Sequence, residues 1–380
     1  MKVALIGKRA GSFIAGVNSV SGCVISAVCE ADPKALAALG ERAGVEASGR
    51  YLKYEELLEK AKPDAVALGT PMQLHVPQAV RALQDGVSVL SEVTAAVDME
   101  QCNALVRAVR ESEARAERGG RRAQYMMAEN ACYRKPALLV RALAAEGLFG
   151  TPYFGEGEYL HDVKNLHHDA DGTPTWRATW QVGKRGCTYG THSLGPALEF
   201  FGPDARVVSV SCVGSGIHTD PEHPHDDTCL MLCRLNTGGL IKVRLDMLSN
   251  RPHAQAYYSL QGTQGCYEAS RAPGEVDRVW LGGNNANDAK AKREWEPLST
   301  YERYLPEGFE FEAAARAGHG GGDYFVAREF LRAVLDGKTP PIDVYRAMDY
   351  TVPGLLSEQS ILQGGAPLPV PDLRARAVTG

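Results

Sequence analysis

The sequence predicts an α/β protein that opens on a doubly wound parallel sheet. Short, continuously apolar runs alternate with segments of helical periodicity through the first third. Strands without polar alternation are those buried on both faces. A glycine-containing turn follows the first run, and an acidic residue closes the second. At 380 residues the chain exceeds one ordinary domain. Two domains are expected: residues 1–124, which hold a nucleotide, and 125–380, whose final segment can pack back on the first.

The elements follow in order. "VALIG" is the first strand, "GKRAGSFIAG" turns the chain, and "VISAVCEADP" gives the second strand. "ADPKALAALGERAG" reads as a helix, with Asp32 as N-cap and Pro33 at the first helical position. "PDAVALGTP" is the third strand, "HVPQAVRALQDG" a helix that ends at Gly86, and "VSVLSE" the next strand. Ligands of such sheets bind beyond the carboxyl ends of the strands. Farther along, "CLMLC" is an apolar run that reads as a strand.

Composition narrows the partners. A formal net charge of -5 implies no large basic surface, which argues against nucleic acid or an anionic membrane. No apolar run is long enough to span a bilayer. "KVALIG" begins a strand almost at once, with no export signal before it, so a cytoplasmic protein is expected. The nine cysteines are scattered, none at zinc-finger spacing, and read as reduced, mostly buried thiols.

The glycine loop departs from the dinucleotide pattern. Counting from Gly7, glycines would fall at 9 and 12, where the chain has Arg9 and Ser12. The Arg9 guanidinium would pair with phosphate directly, and Ser12 would donate from the helix start. Glu30 follows Gly7 by 23 positions, near the ~20 expected of the acid that binds the adenosine ribose. A carboxylate there repels a 2′-phosphate, so NAD is the expected cofactor. Taken alone, "GTPMQLH" reads as a turn with Thr70 as cap and His75 an ordinary surface histidine.

Taken together, "GTPMQLH" (69–75), "ALQDGVSVLSEVTAA" (82–96) and "PPIDVYRAMDYTV…LSEQSILQGG" (340–365) resemble the Gfo/Idh/MocA family, named for glucose–fructose oxidoreductase and inositol dehydrogenase. The resemblance implies an N-terminal Rossmann domain and a C-terminal α/β domain with a large, mostly antiparallel sheet. It also implies NAD(P) bound between them, and a homo-oligomer. By position, Thr70, Pro71, His75, Glu92 and Asn130 would line the cofactor. Dehydrogenases of the family typically read Glu-Lys-Pro where this chain reads Glu92-Val93-Thr94, and they tend to carry an aspartate where Thr188 stands, four before His192.

A narrower resemblance fits better. "SEVTAA", "YMMAENACY" (125–133), "GEYLHD" (157–162), "YGTHSLGP" (189–196) and "GHGGGDYF" (318–325) look like the NAD-dependent α-N-acetylgalactosaminidases, glycoside hydrolases on the same scaffold that tend to carry valine in place of the lysine. The implied reaction is redox-neutral. Hydride leaves C3, the C3 ketone acidifies C2–H, the C1 substituent is eliminated, water adds, and hydride returns.

Such chemistry needs bases near C3 and C2 and a proton for the leaving group. His192 is the candidate for the C3 hydroxyl. If it opens a helix, the N-terminal dipole disfavours a positive charge there, and Tyr189 lies in the turn before it. Tyr159 and His161 fall on one face of a strand, and either would serve C2 or the leaving group. Trp176 and Arg177 resemble a substrate-side motif: an aromatic face suits a sugar ring, and arginine suits its hydroxyls. Glu129 is placed on the substrate side as well. In "GHGGGDYF", His319 and Asp323 either reach substrate from a mobile loop or simply cap a helix. "LHHDADG" (166–172) and "HTDPEHPHDD" (218–227) lack helical His-x-x-x-His spacing and read as solvated loops, so no metal is expected. The rival readings are an ordinary NAD-dependent sugar or cyclitol dehydrogenase and a non-catalytic nucleotide-binding sensory protein.

Overall fold

In the computed structural model, which describes residues 1–282, 294–315 and 317–375, the chain divides into two compact units. One comprises Met1–Tyr133, Phe311–Met348 and the chain end from Leu373. The other comprises Arg134–Glu310 and Asp349–Asp372.

The first unit is built on six parallel strands: β1 (Lys2–Ile6), β2 (Val24–Cys29), β3 (Arg50–Tyr51), β4 (Ala65–Leu68), β5 (Ser88–Ser91) and β6 (Tyr125–Met127). They lie in the order 3-2-1-4-5-6. β4 and β5 are buried throughout; β4 is apolar along its whole length, while β5 buries a serine at each end around Val89 and Leu90. Asp32 caps the helix Pro33–Ala43 by accepting the Ala35 N–H at 2.6 Å. The structure differs from the sequence reading in three places. "GKRAGSFIAG" is a 3-10 helix, Lys8–Phe13, that runs into the helix Ile14–Asn18. β2 stops at Cys29, so Glu30 is the first residue beyond the strand. The edge strand β3 and the helix Tyr54–Ala61 precede the strand read as the third. The helix Gly322–Leu335 returns to this unit against Ile14–Asn18. A Cβ on Gly16 would lie 2.4 Å from the Tyr324 carbonyl oxygen, so only glycine permits that approach.

The second unit carries nine strands: β7 (Pro152–Leu160), β8 (Val207–Gly214), β9 (Cys229–Leu235), β10 (Leu240–Asp246), β11 (Ala254–Gly262), β12 (Gly265–Glu268), β13 (Arg278–Leu281), β14 (Glu296–Pro297) and β15 (Leu368–Pro369). Their order is 14-13-12-11-7-10-9-8-15, antiparallel except for the parallel pair β7–β10. This is the large, mostly antiparallel sheet the resemblance implies. The helix Thr191–Glu199 packs on β7, β10 and β11. The helix Lys135–Ala145 adds Leu139, Val140 and Leu143 to a core rich in aromatics, among them Phe149, Phe200, Tyr258 and Tyr267. β9 alternates buried and exposed residues, and its outer side presents Leu230 and Leu232 beside Val213 of β8. All nine cysteines are free thiols, seven of them buried. No helix among the described residues is long and apolar enough to cross a membrane.

Candidate active site

In the first unit, the predicted cofactor residues gather where β1, β2, β4 and β5 end. Gly7 leaves β1 with φ 84°, and a Cβ there would strike the Gly69 carbonyl oxygen at 2.5 Å. The end of β1 therefore approaches Gly69 only because residue 7 is glycine, and a Cβ on Gly69 would in turn lie 2.3 Å from the Ala10 backbone nitrogen. Glu30 is fixed just past β2, accepting the backbone N–H groups of Lys8 at 2.7 Å and Asp32 at 3.3 Å. Ser12 has a buried Oγ with no hydrogen-bond partner. Ser12 lies late in the 3-10 helix Lys8–Phe13, two residues before the helix Ile14–Asn18, rather than at a helix start; a buried hydroxyl left unmatched there suits a hydrogen bond to a phosphate. With a carboxylate held at the second strand end, these residues fit a bound NAD.

Arg9 does not stand alone facing solvent. Its guanidinium contacts Glu92 at 2.8 Å and forms two bonds of 3.2 Å to Asp323. Asp323 is fully buried and also receives Asn130 Nδ2 at 2.7 Å and His319 Nδ1 at 2.9 Å. Burial alone would raise its carboxyl pKa; the His319 hydrogen bond and the Arg9 charge outweigh burial and hold it well below the usual range. Asp323 is thus neither a helix cap nor a group on a free loop, but a buried anchor inside the helix Gly322–Leu335. His75 is buried rather than on the surface, between the carbonyls of Thr94 and Thr70 at 2.9 Å each. Burial pushes its pKa down, opposed by the two carbonyl contacts. Thr70 Oγ1 bonds Gln78 instead of capping, and Pro71 leads into the 3-10 turn Met72–Leu74. Glu129 is fully buried and accepts the Ala131 N–H at 3.1 Å.

In the second unit, all four predicted catalytic residues come together. Tyr159, at the end of β7, lies 2.9 Å through its hydroxyl from His161 Nδ1. His192 is the second residue of the helix Thr191–Glu199, and its ring centroid is 5.1 Å from that of Tyr159. Tyr189, in the turn before, stands edge-on to His192 at 5.6 Å. The Tyr258 hydroxyl ties the helix start down through the His192 carbonyl at 2.6 Å. Burial lowers the His161 pKa to about 4, helped by the positive potentials of His253, Arg177 and His192, so the ring is a neutral acceptor at pH 7. Arg177 stacks on Trp176 at 4.5 Å and bonds Gln181 at 2.8 Å.

The sequence reading missed His253, whose ring centroid lies 4.5 Å from that of His161. The register explains it: Ala254 pairs with Leu160, which sets the residue before β11 beside the residue after β7. No local motif carries that signal. Gly157 explains how the helix reaches the strand. A Cβ there would meet the Ser193 carbonyl oxygen at 2.0 Å, so only glycine lets the His192 helix settle on β7. Gly157→Ala is expected to cost about 1–3 kcal/mol in urea unfolding and to lower turnover by displacing His192 from Tyr159. Unchanged stability and rate would show that the contact is slack.

Comparisons with known proteins agree with this architecture. The family profile described as "Glycosyl hydrolase 109, C-terminal domain" matches residues 221–378. "Oxidoreductase family, NAD-binding Rossmann fold" matches 1–119, and "GFO/IDH/MocA C-terminal domain" matches 137–268. A glycosyl hydrolase family 109 protein of Streptomyces filamentosus is 31% identical over 97% of this chain and 76% of its own length. The chain belongs to glycosyl hydrolase family 109. This family 109 protein is also 26% identical to an alpha-N-acetylgalactosaminidase of Shewanella oneidensis, over 83% of this chain and 70% of that one. Levoglucosan dehydrogenase in complex with NADH and L-sorbose shares its fold, with a TM-score of 0.77 at 18% identity, covering 98% of this chain and 99% of that one. The family 109 protein is an NAD-dependent enzyme of carbohydrate chemistry.

Proposed function

We propose that this enzyme cleaves a glycoside with no net redox change, through transient oxidation at C3 of the sugar. The observation that carries the reading is the hydrogen-bonded Tyr159–His161 pair beside His192. Val93 and Thr188 support it, standing where dehydrogenases of this fold typically have lysine and aspartate.

NAD, when bound, supplies a reversible hydride acceptor for C3. His192 takes the C3 hydroxyl proton and returns it at the end of the cycle. The Tyr159–His161 pair removes the acidified C2 proton, with His161 neutral and accepting at pH 7. Tyr189 donates to the departing oxygen. Trp176 and Arg177 offer a flat face and hydrogen-bond donors to the sugar, and Glu129 orients it. On the cofactor side, Glu30 is assigned to the adenosine ribose hydroxyls and Ser12 to phosphate, over the close turn at Gly7. Thr70, Pro71 and His75 shape the neighbouring wall. Arg9, Glu92 and Asn130 fix that wall through Asp323.

A panel of nitrophenyl glycosides with added NAD, including the α-N-acetylgalactosaminide, tests the reading. Nitrophenol release without a matching rise at 340 nm is the expected result. NADH accumulating in step with oxidation of free sugars, with no nitrophenol released, would overturn it in favour of a dehydrogenase.

The free cysteines support a reducing, cytoplasmic location. The exposed Val213, Leu230 and Leu232 on one face of the second sheet support a homo-oligomer formed through that face. Light scattering on the purified protein is expected to give a multiple of the 41.0 kDa chain mass, and Leu232→Asp to reduce it. A wild-type monomer would remove this inference.

A further inference from the structure

Two loops of the second unit, far apart in sequence, bring together a set of side chains that the proposed reaction does not use. His167 follows the 3-10 turn Lys164–Leu166 and is 2% exposed. Asp220 and His223 lie in the connection between β8 and β9. One nitrogen from each histidine and one oxygen of Asp220 all fall within 4.8 Å of one another. Asp220 Oδ2 is 3.0 Å from His223 Nδ1 and 3.4 Å from His167 Nδ1. The two imidazole rings stand edge to face at 4.7 Å.

We propose that His167, Asp220 and His223 form a binding site for a divalent transition-metal ion, zinc above all, that clips these two loops together. Two imidazoles and one carboxylate are a common three-ligand set for zinc, which leaves a fourth position for water. Tetrahedral bonds of about 2.0–2.1 Å put ligand atoms roughly 3.3 Å apart, close to both histidine–aspartate distances already present. The carboxylate is pre-aimed, because Asp220 Oδ1 accepts the Glu222 N–H at 3.3 Å. The burial of His167 adds a second observation: its Nδ1 faces Asp220, while its Nε2 is buried with no hydrogen-bond partner, so the interior ring is only half matched by polar contacts.

The backbone around the site is fixed. The His167 carbonyl accepts the Thr175 N–H at 2.7 Å, and Thr175 Oγ1 bonds the Leu166 carbonyl at 2.6 Å. On the other loop, Thr219 Oγ1 bonds the Leu248 carbonyl at 2.8 Å. Thr175 in turn caps the helix that begins with Trp176 and Arg177. An ion at His167 would therefore brace the segment that carries those two residues. Ligand spacing within either loop gives no hint of this, because one ligand comes from the first loop and two from the second. The site stands whether or not the glycosidase reading holds, since its readout is bound metal.

Full-length protein stripped with chelator and dialysed is titrated with zinc chloride by calorimetry, and metal content is counted after desalting. One zinc per chain is expected. Asp220→Asn and His223→Gln should each weaken binding at least about 100-fold, while His218→Gln, on the same loop but outside the cluster, should not. Cobalt substitution adds a signature: visible d–d absorption in the wild type that is lost in His223→Gln. Circular dichroism of the metal-free variants separates lost ligation from lost fold; should His167→Gln fail to fold, the less buried pair decides. No retained zinc, or equal binding in wild type and both variants, would overturn the proposal.

Discussion

His192→Ala is expected to lower turnover by about 10²–10⁴-fold while leaving NAD affinity and thermal stability close to the wild type. The size follows from the role. Removing a positioned base forfeits the general-base contribution to the step that starts the cycle. Stability should survive because the helix Thr191–Glu199 keeps its backbone contacts. The Tyr258 hydroxyl bonds the His192 carbonyl, which alanine retains, and Gly157 still admits Ser193. NADH fluorescence titration and initial rates on a responsive glycoside measure the two quantities. A variant with more than about a tenth of wild-type turnover would move the base elsewhere, with His161 the next candidate.

Asp323→Ala is expected to cost about 3–5 kcal/mol in denaturant unfolding, the largest stability loss of any single polar substitution argued from this structure. The carboxylate is fully buried and serves three partners at once: the Arg9 guanidinium, Asn130 Nδ2 and His319 Nδ1. Alanine leaves a desolvated amide without its acceptor and strips Arg9 of a fully buried carboxylate. Asp323→Asn should cost less, because an amide oxygen still accepts Asn130. A drop below about 1 kcal/mol for the alanine variant would show that Glu92 alone suffices for Arg9.

What the sequence revealed was what local chemistry encodes. β1, β4 and β5 were legible because strands covered on both faces are built on runs of apolar residues, and the cap at Asp32 and the stop at Gly86 follow from backbone preference. The Tyr159, His161, Tyr189 and His192 group was legible through motif resemblance and through strand alternation. Other features were hidden for physical reasons. β3 spans two residues, too few for any periodicity. β9 was legible as a strand in "CLMLC", but its one-sided burial was not, because its outward Leu230 and Leu232 are apolar as well. Asp323, His253 and the His167–Asp220–His223 cluster depend on contacts between distant segments. The proline- and aspartate-rich character of the 218–227 segment suggested solvent, yet His225 is fully buried, as is His167 on the other loop.

The bond between Arg9 and Asp323 joins residues 314 positions apart. The first unit is therefore made from both ends of the chain. During synthesis the six parallel strands leave the ribosome long before the helix Gly322–Leu335 that covers Gly16 and supplies Asp323. At ordinary elongation rates the intervening stretch takes on the order of 10–40 s to make. Throughout that interval the nascent sheet exposes the apolar surface meant for that helix, and Arg9 waits for its buried partner. Chaperone occupancy on the nascent chain and poor solubility of a 1–133 fragment are the expected biosynthetic consequences of completing this unit with a helix made so much later.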